Sequence, residues 1–105
     1  MNNDTRRKPL TTDQVREAVQ QMRVHCDLKM VDYELVSARA ALYELGYHGE
    51  DAEQVLKALY DGGFTYCLDV DYHTSPRDND GPISPDVCYW GPDQLRSRLD
   101  SVHLP

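Results

Sequence analysis

The sequence predicts a mainly helical α+β domain, in which a three-helix core is followed by a β-hairpin and a short C-terminal helix. Between residues 12 and 61, apolar side chains recur every three or four positions, as in helices that bury one face. Between residues 64 and 73 the pattern changes to alternation, which is typical of a half-buried strand. Residues 1–9 are polar and are predicted to form a flexible arm, and residues 10–105 a single compact domain.

The first helix is predicted from about residue 12 to 26 because a capping box precedes it. Thr11 is the N-cap, and Gln14 at the third helical position can bond back to the cap. Leu10 and Val15 occupy the two positions of a hydrophobic staple around this turn. The predicted buried stripe consists of Val15, Ala18, Val19, Met22 and Cys26.

A second helix is predicted to begin after Asp32, which would be its N-cap. Met30 and Val31 in the preceding interruption are predicted to point inward. Gly46 is predicted to end the helix, because a residue that ends a helix in the left-handed conformation is most often glycine. The predicted inner face consists of Leu35, Ala38, Leu42 and Leu45.

A third helix is predicted from about residue 50 to 61, and Gly62 and Gly63 are predicted to end it. The strand that follows, residues 64–73, would pair as a hairpin with a second strand, "VCYW" at 87–90. The proline- and glycine-rich segment between them predicts a loop. Gly91-Pro92 then predicts the start of the last helix, because proline is favoured at the first helical position.

The stretch "ALYELGYHGEDAEQVLKALYDGGFTY" resembles part of a winged helix-turn-helix domain, with its second helix, glycine-containing turn, recognition helix and entry into the wing. The resemblance covers about residues 35–72 and implies a DNA-reading helix followed by a β-hairpin wing. The shorter stretch "ALYELGYHGEDAEQVLKAL" also resembles the first two helices of a ubiquitin-associated-type bundle. Neither resemblance carries a catalytic residue.

The charge of the chain disagrees with a DNA-reading role. The formal net charge is -7, and the helix that would enter the major groove begins with Glu50, Asp51 and Glu53. These acids complement the helix dipole, but they would meet phosphate oxygens where a DNA-binding protein places Lys or Arg. We therefore expect no direct binding to duplex DNA and none to an anionic membrane surface.

No site for a metal, a cofactor or a catalytic reaction is predicted. The three cysteines show no CxxC spacing, which favours reduced thiols and a cytoplasmic protein over a disulfide framework. No apolar run approaches the roughly 20 residues that cross a bilayer. Asp69 and Asp71 share one face of the predicted strand, but acids on a solvated strand more often protect an edge than perform catalysis.

The aromatic residues of the predicted hairpin instead favour protein binding, since Tyr and Trp often anchor interfaces. The first hypothesis is a non-catalytic acidic protein that occupies a basic site on a partner protein, such as a site that normally holds nucleic acid. Inhibitors from phages and mobile elements, including anti-CRISPR proteins, are candidates by analogy of size and charge. The alternative is a winged-helix DNA-binding transcriptional regulator. The predicted partner-binding residues are Glu50, Asp51, Glu53, Tyr66, Asp69, Asp71, Tyr72 and Trp90.

Overall fold

The computed structural model describes residues 8–64 and 85–105 of the chain. In these residues the regular structure is helical, and each predicted helix is present. The helices are α1 (Thr12–Lys29), α2 (Ala38–Glu44), α3 (Gly49–Asp61) and α4 (Pro92–Ser101).

Helix α1 lies at the centre of the fold. It contacts α2 and α3 and packs most extensively against α4, while α2 also packs against α3. Burial of each large apolar side chain contributes roughly 1.5–3 kcal/mol, so these contacts stabilise the arrangement of the helices. The largest fully buried side chains include Met22, Leu42, Leu56, Leu59, Phe64, Leu95 and Leu99.

The predicted start of α1 is confirmed. The backbone N–H of Gln14 donates to the Thr11 hydroxyl at 3.1 Å, and the Gln14 side chain accepts from the Thr11 N–H at 2.8 Å. Leu10 is also held in place, because its N–H and its carbonyl both bond to the side-chain amide of Gln54 at 2.8 Å. The entry to α1 is therefore fixed against α3.

The predicted glycine ends of α2 and α3 are also confirmed. Gly46 and Gly63 have φ values of 100° and 106°, in the left-handed region that favours glycine. After α2, the N–H of Tyr47 donates to the carbonyl of Leu42 at 2.9 Å. After α3, the N–H of Phe64 makes the equivalent 2.9 Å bond to Leu59. Both bonds belong to Schellman motifs, which satisfy the last carbonyls of each helix.

The prediction that Asp32 caps α2 is wrong. The N-cap is Ser37, whose hydroxyl accepts from the N–H of Ala40 at 3.1 Å. The backbone of Tyr33, with a φ of 49°, is left-handed and cannot continue a helix from Asp32. Leu35 therefore lies outside the helix and is exposed, as are the neighbouring residues that were predicted to point inward, Met30 and Val31.

The prediction of a β-hairpin, and with it the α+β, winged-helix-like fold class, is wrong for the described part of the chain, which is helical. Trp90, from the predicted second strand, forms an isolated antiparallel bridge with Val36, just before α2. Their backbones exchange two N–H···O bonds of 2.9 Å, so the backbone N–H and C=O of Trp90 are both hydrogen-bonded to Val36. Phe64 is buried in the core. The rest of the predicted first strand, residues 65–73, lies outside the described residues.

Candidate protein-binding surface

The three acids predicted at the start of the third helix lie together at the N-terminal end of α3. Glu50 and Asp51 are in its first turn, where negative charge is stabilised by the helix dipole. Glu53 is held by Arg39 of α2, which bonds to its carboxylate through both terminal nitrogens. These acids line a cleft of about 420 Å³ together with Lys8, Pro9, Gln54 and Lys57.

Most of the Lys and Arg side chains in the described residues are engaged by carboxylates of the same chain. Lys8 and Arg98 form no ion pair with another described residue. A row of unpaired cations, which would bind phosphates, is therefore not present on this part of the surface. The pairs are Arg16 with Asp13, Arg23 with Asp100, Lys29 with Glu34, Arg39 with Asp86, Lys57 with Asp61, and Arg96 with Asp27.

Trp90, which was predicted to anchor a partner, lies in the core instead. Its side chain is only 4% exposed, and its ring centroid lies 6.4 Å from that of Phe64. Its indole N–H donates to the carbonyl oxygen of Pro85 at 3.2 Å. In this arrangement Trp90 stabilises the fold and is not available to a partner. The other predicted hairpin residues, Tyr66, Asp69, Asp71 and Tyr72, lie outside the described residues.

A buried polar network connects α2, α3 and the chain before α4, and sequence reasoning missed it. Asp86 is 4% exposed and accepts from Arg39 Nε at 2.8 Å and from the Tyr60 hydroxyl. Its backbone carbonyl also accepts from the N–H of Arg39 at 2.9 Å. Burial by itself raises the pKa of Asp86, but the hydrogen bonds from Tyr60 and Arg39 and the charge of Arg39 lower it below its usual value. Burial and the bond to Asp86 raise the pKa of Tyr60 to about 12.

This network fixes the chain on both sides of residues 65–84. The ring of Phe64 contacts that of Tyr60, with a centroid distance of 5.8 Å, and Tyr60 bonds to Asp86. Residues 64 and 86 are therefore both held at the C-terminal end of α3. The role of Arg39, Tyr60 and Asp86 that follows from this geometry is structural.

Sequence reasoning also missed an exposed apolar strip formed by the connection between α1 and α2 and the chain before α4. Val31, Tyr33, Leu35 and Tyr89, called here the Tyr33 strip, are 82%, 54%, 58% and 65% exposed. Leu35 and Tyr89 precede the bridged residues Val36 and Trp90. Because successive side chains of extended chain point to opposite sides, both lie on the outer side of the bridge. Ser37 is as good an N-cap residue as Asp32, and it was the signal in the sequence that residues 31–35 could precede the helix.

Cys26 is expected to resist alkylation in the folded protein. Its side chain is fully buried in α1, and burial, with a smaller contribution from Asp27, raises the pKa of its thiol to about 12. Since the thiolate is the reactive form, iodoacetamide at pH 8 should leave Cys26 unmodified in buffer and modify it in denaturant. Peptide mass spectrometry would measure both. Rapid modification of Cys26 in buffer would show that α1 is not packed as described.

In residues 8–64 and 85–105, no three His, Cys, Asp or Glu side chains lie close enough together to hold a metal ion. None of the helices there combines the length and the apolar content of a membrane-spanning helix. Comparisons of the chain with protein-family models, with curated proteins and with solved structures find no match.

Proposed function

We propose that this protein is a non-catalytic, acidic binding protein that occupies a basic site on a partner protein. The observation that carries the proposal is the distribution of charge. Most cations of the described helices, Arg98 excepted, are paired within the chain, whereas Glu50 stays exposed beside Asp51 at the rim of a cleft. Lys8 and Lys57 also line this cleft, so a Lys or Arg side chain of a partner would meet Glu50 and Asp51 from its rim.

The chemistry of such a partner resembles that of a nucleic-acid-binding protein. A site that holds phosphates presents several Lys or Arg side chains, and a chain of net charge -7 complements it. Charge complementarity of this kind raises the rate of association and excludes wrong partners. Occupation of the site would then inhibit the partner. Inhibitors from phages and mobile elements, anti-CRISPR proteins among them, are a candidate class by analogy of size and charge.

The experiment is affinity capture with a matched pair of charge-reversal variants. The double variant Glu50→Lys/Asp51→Lys changes the acidic turn of α3, and Asp13→Lys/Glu17→Lys makes the same charge change on α1. Asp13, like Glu50, lies in a first helical turn, so both variants lose a favourable dipole interaction of about 0.3–1 kcal/mol. We expect both wild type and the α1 variant to capture a basic protein from a host lysate, identified by mass spectrometry, and the α3 variant to lose it.

Two further results would decide between this proposal and a DNA-binding regulator. A captured partner should be released by added single-stranded oligonucleotide, because the two compete for one basic site. The protein itself should show no binding to duplex DNA at physiological salt in a fluorescence titration. Sub-micromolar binding to duplex DNA with a steep salt dependence would overturn the proposal in favour of the regulator. Equal capture by the two charge-reversal variants would show that α3 does not carry the interaction.

A further inference from the structure

Three apolar side chains of the Tyr33 strip occupy every second position of one short segment, and all of them are exposed to water. Single exposed apolar residues are normal on a protein surface, but contiguous ones indicate an interaction site. The antiparallel Val36–Trp90 bridge places Gly91 opposite Leu35, and the Tyr33 ring lies over Gly91. Tyr89 lies on the same side of the bridge as Leu35, diagonally across from it, and Val31 is exposed two residues before Tyr33.

Tyr33 is held in place at the centre of the strip. Its hydroxyl donates to Asp93 Oδ1 at 2.7 Å, at the start of α4. Its phenol end also lies directly over Gly91, where an added Cβ would be only 2.2 Å from the hydroxyl oxygen. The absence of a side chain at Gly91 is therefore what allows the ring to lie there. A ring fixed at its hydroxyl end and still about half exposed loses little conformational entropy when a partner covers it.

The backbone at Tyr33 supports a binding role for this ring. A left-handed conformation is strained for a bulky residue, and residues held in such conformations cluster at functional sites. The same conformation ends the turn after α1, and residues 34 and 35 then lie outside α2. The strain is thus directly linked to the exposure of Leu35.

The charges around the strip determine which occupant fits it. The apolar residues alternate with Asp32 and Glu34, both exposed, and Asp93 lies at the end of the Tyr33 ring. Lys29, the cation in contact with this segment, is already bonded to Glu34 at 3.1 Å. A second copy of the chain would bring the same acids face to face at a net charge of -7 each.

We infer that the Tyr33 strip is a docking surface for a partner segment that carries both apolar and basic side chains, with Tyr33 as its central anchor. The inference rests on the proposed function, because it assigns the surface through which the basic partner is held. Apolar side chains of the partner would cover Val31, Tyr33 and Leu35. Its Lys or Arg side chains would reach Asp32 and Glu34. Anchors of this kind mainly slow dissociation.

The test uses the full chain and a fluorescently labelled, 18-residue amphipathic peptide of Leu and Lys as the probe. Anisotropy titrations would compare wild type with Tyr33→Ala and with Gly91→Ala. Alanine at position 91 fits the backbone, whose φ is -61°, but displaces the Tyr33 ring. We expect each variant to weaken peptide binding by about tenfold or more, as for loss of an interface anchor.

The matched control is Val24→Ser, which removes an exposed apolar side chain of α1 away from the strip. This variant should bind the peptide like wild type. A peptide with Ser in place of Leu, at equal charge, should bind far more weakly. Circular dichroism would establish that every variant is folded.

Four results would overturn the inference. The first three are no binding of the Leu/Lys peptide by wild type, an equal loss of binding in Val24→Ser, and a dimer in sedimentation velocity that Tyr33→Ala abolishes. Loss of peptide binding in Glu50→Lys/Asp51→Lys but not in Tyr33→Ala would also overturn it while leaving the proposed function intact. A different outcome is loss of peptide binding in Tyr33→Ala and Gly91→Ala with unchanged peptide binding by Glu50→Lys/Asp51→Lys. This outcome would support the Tyr33 strip as the docking surface and would count against the α3 cleft.

Discussion

Replacing Asp86 with alanine is expected to lower the free energy of unfolding by about 3 kcal/mol, the lower end of the range for breaking a buried ion pair. The substitution removes the acceptor of both Arg39 and Tyr60 and leaves the guanidinium without its buried partner. The lower end applies because the Arg39 side chain is 29% exposed and keeps its second carboxylate, Glu53. Urea denaturation followed by circular dichroism would measure the change.

The control for Asp86→Ala is Tyr60→Phe, which removes one hydroxyl from the same network. It should cost about 1 kcal/mol, as for loss of a typical hydrogen bond. Because the two residues contact each other, the double variant should lose less than the sum of the single losses. An Asp86→Ala protein as stable as wild type would mean that the network contributes nothing to folding.

The same network predicts how stability depends on pH. The pKa of Asp86 is lower in the folded protein than its ordinary value of 3.8, so the folded state binds this proton less readily than the unfolded state. Its contribution is therefore complete above about pH 4 and is lost as the pH falls further. The difference in stability between wild type and Asp86→Ala should shrink over that range.

The helices could be predicted from the sequence because their signals are local. Thr11 and Gln14 form a capping box within one turn, and Gly46 and Gly63 end their helices by short-range bonds. The position of the acids of α3 could be predicted for the same reason. Once the start of the helix is known, Glu50 and Glu53 must both lie near its N-terminal end. Local sequence therefore determined most of the helix boundaries.

The wrong predictions concern places where the structure depends on contacts between residues that are far apart in sequence. Val36 and Trp90 are far apart in sequence, and no local pattern indicated that they would pair. The Arg39–Asp86 ion pair has the same origin, because a charged residue in a mostly apolar helix does not reveal its partner. The Tyr33 strip was missed because apolar residues are first assumed to be buried. The left-handed backbone at Tyr33 overrides that assumption.

Removal of the buried Trp90 side chain is expected to cause the largest loss of stability. Trp90→Ala should lower the free energy of unfolding by about 3–5 kcal/mol, because it removes a large buried ring and leaves a cavity beside Phe64. That loss is comparable to the whole stability of a marginal domain, so part of the protein should be unfolded in buffer. Far-UV circular dichroism and urea denaturation would measure it. As the chain contains one tryptophan, its fluorescence would report unfolding of the wild type without a label.

The neighbouring residue, Tyr89, is the matched control for Trp90. Both are aromatic and adjacent in the chain, but Tyr89 is 65% exposed on the outer side of the bridge. Tyr89→Ala should change stability by no more than about 0.5 kcal/mol, as for a surface substitution. Trp90→Phe should fall between the two alanine variants, because it keeps an aromatic ring and loses the bond to Pro85. A folded Trp90→Ala protein that has only lost its partner would instead place Trp90 in the interface, as the sequence alone predicted.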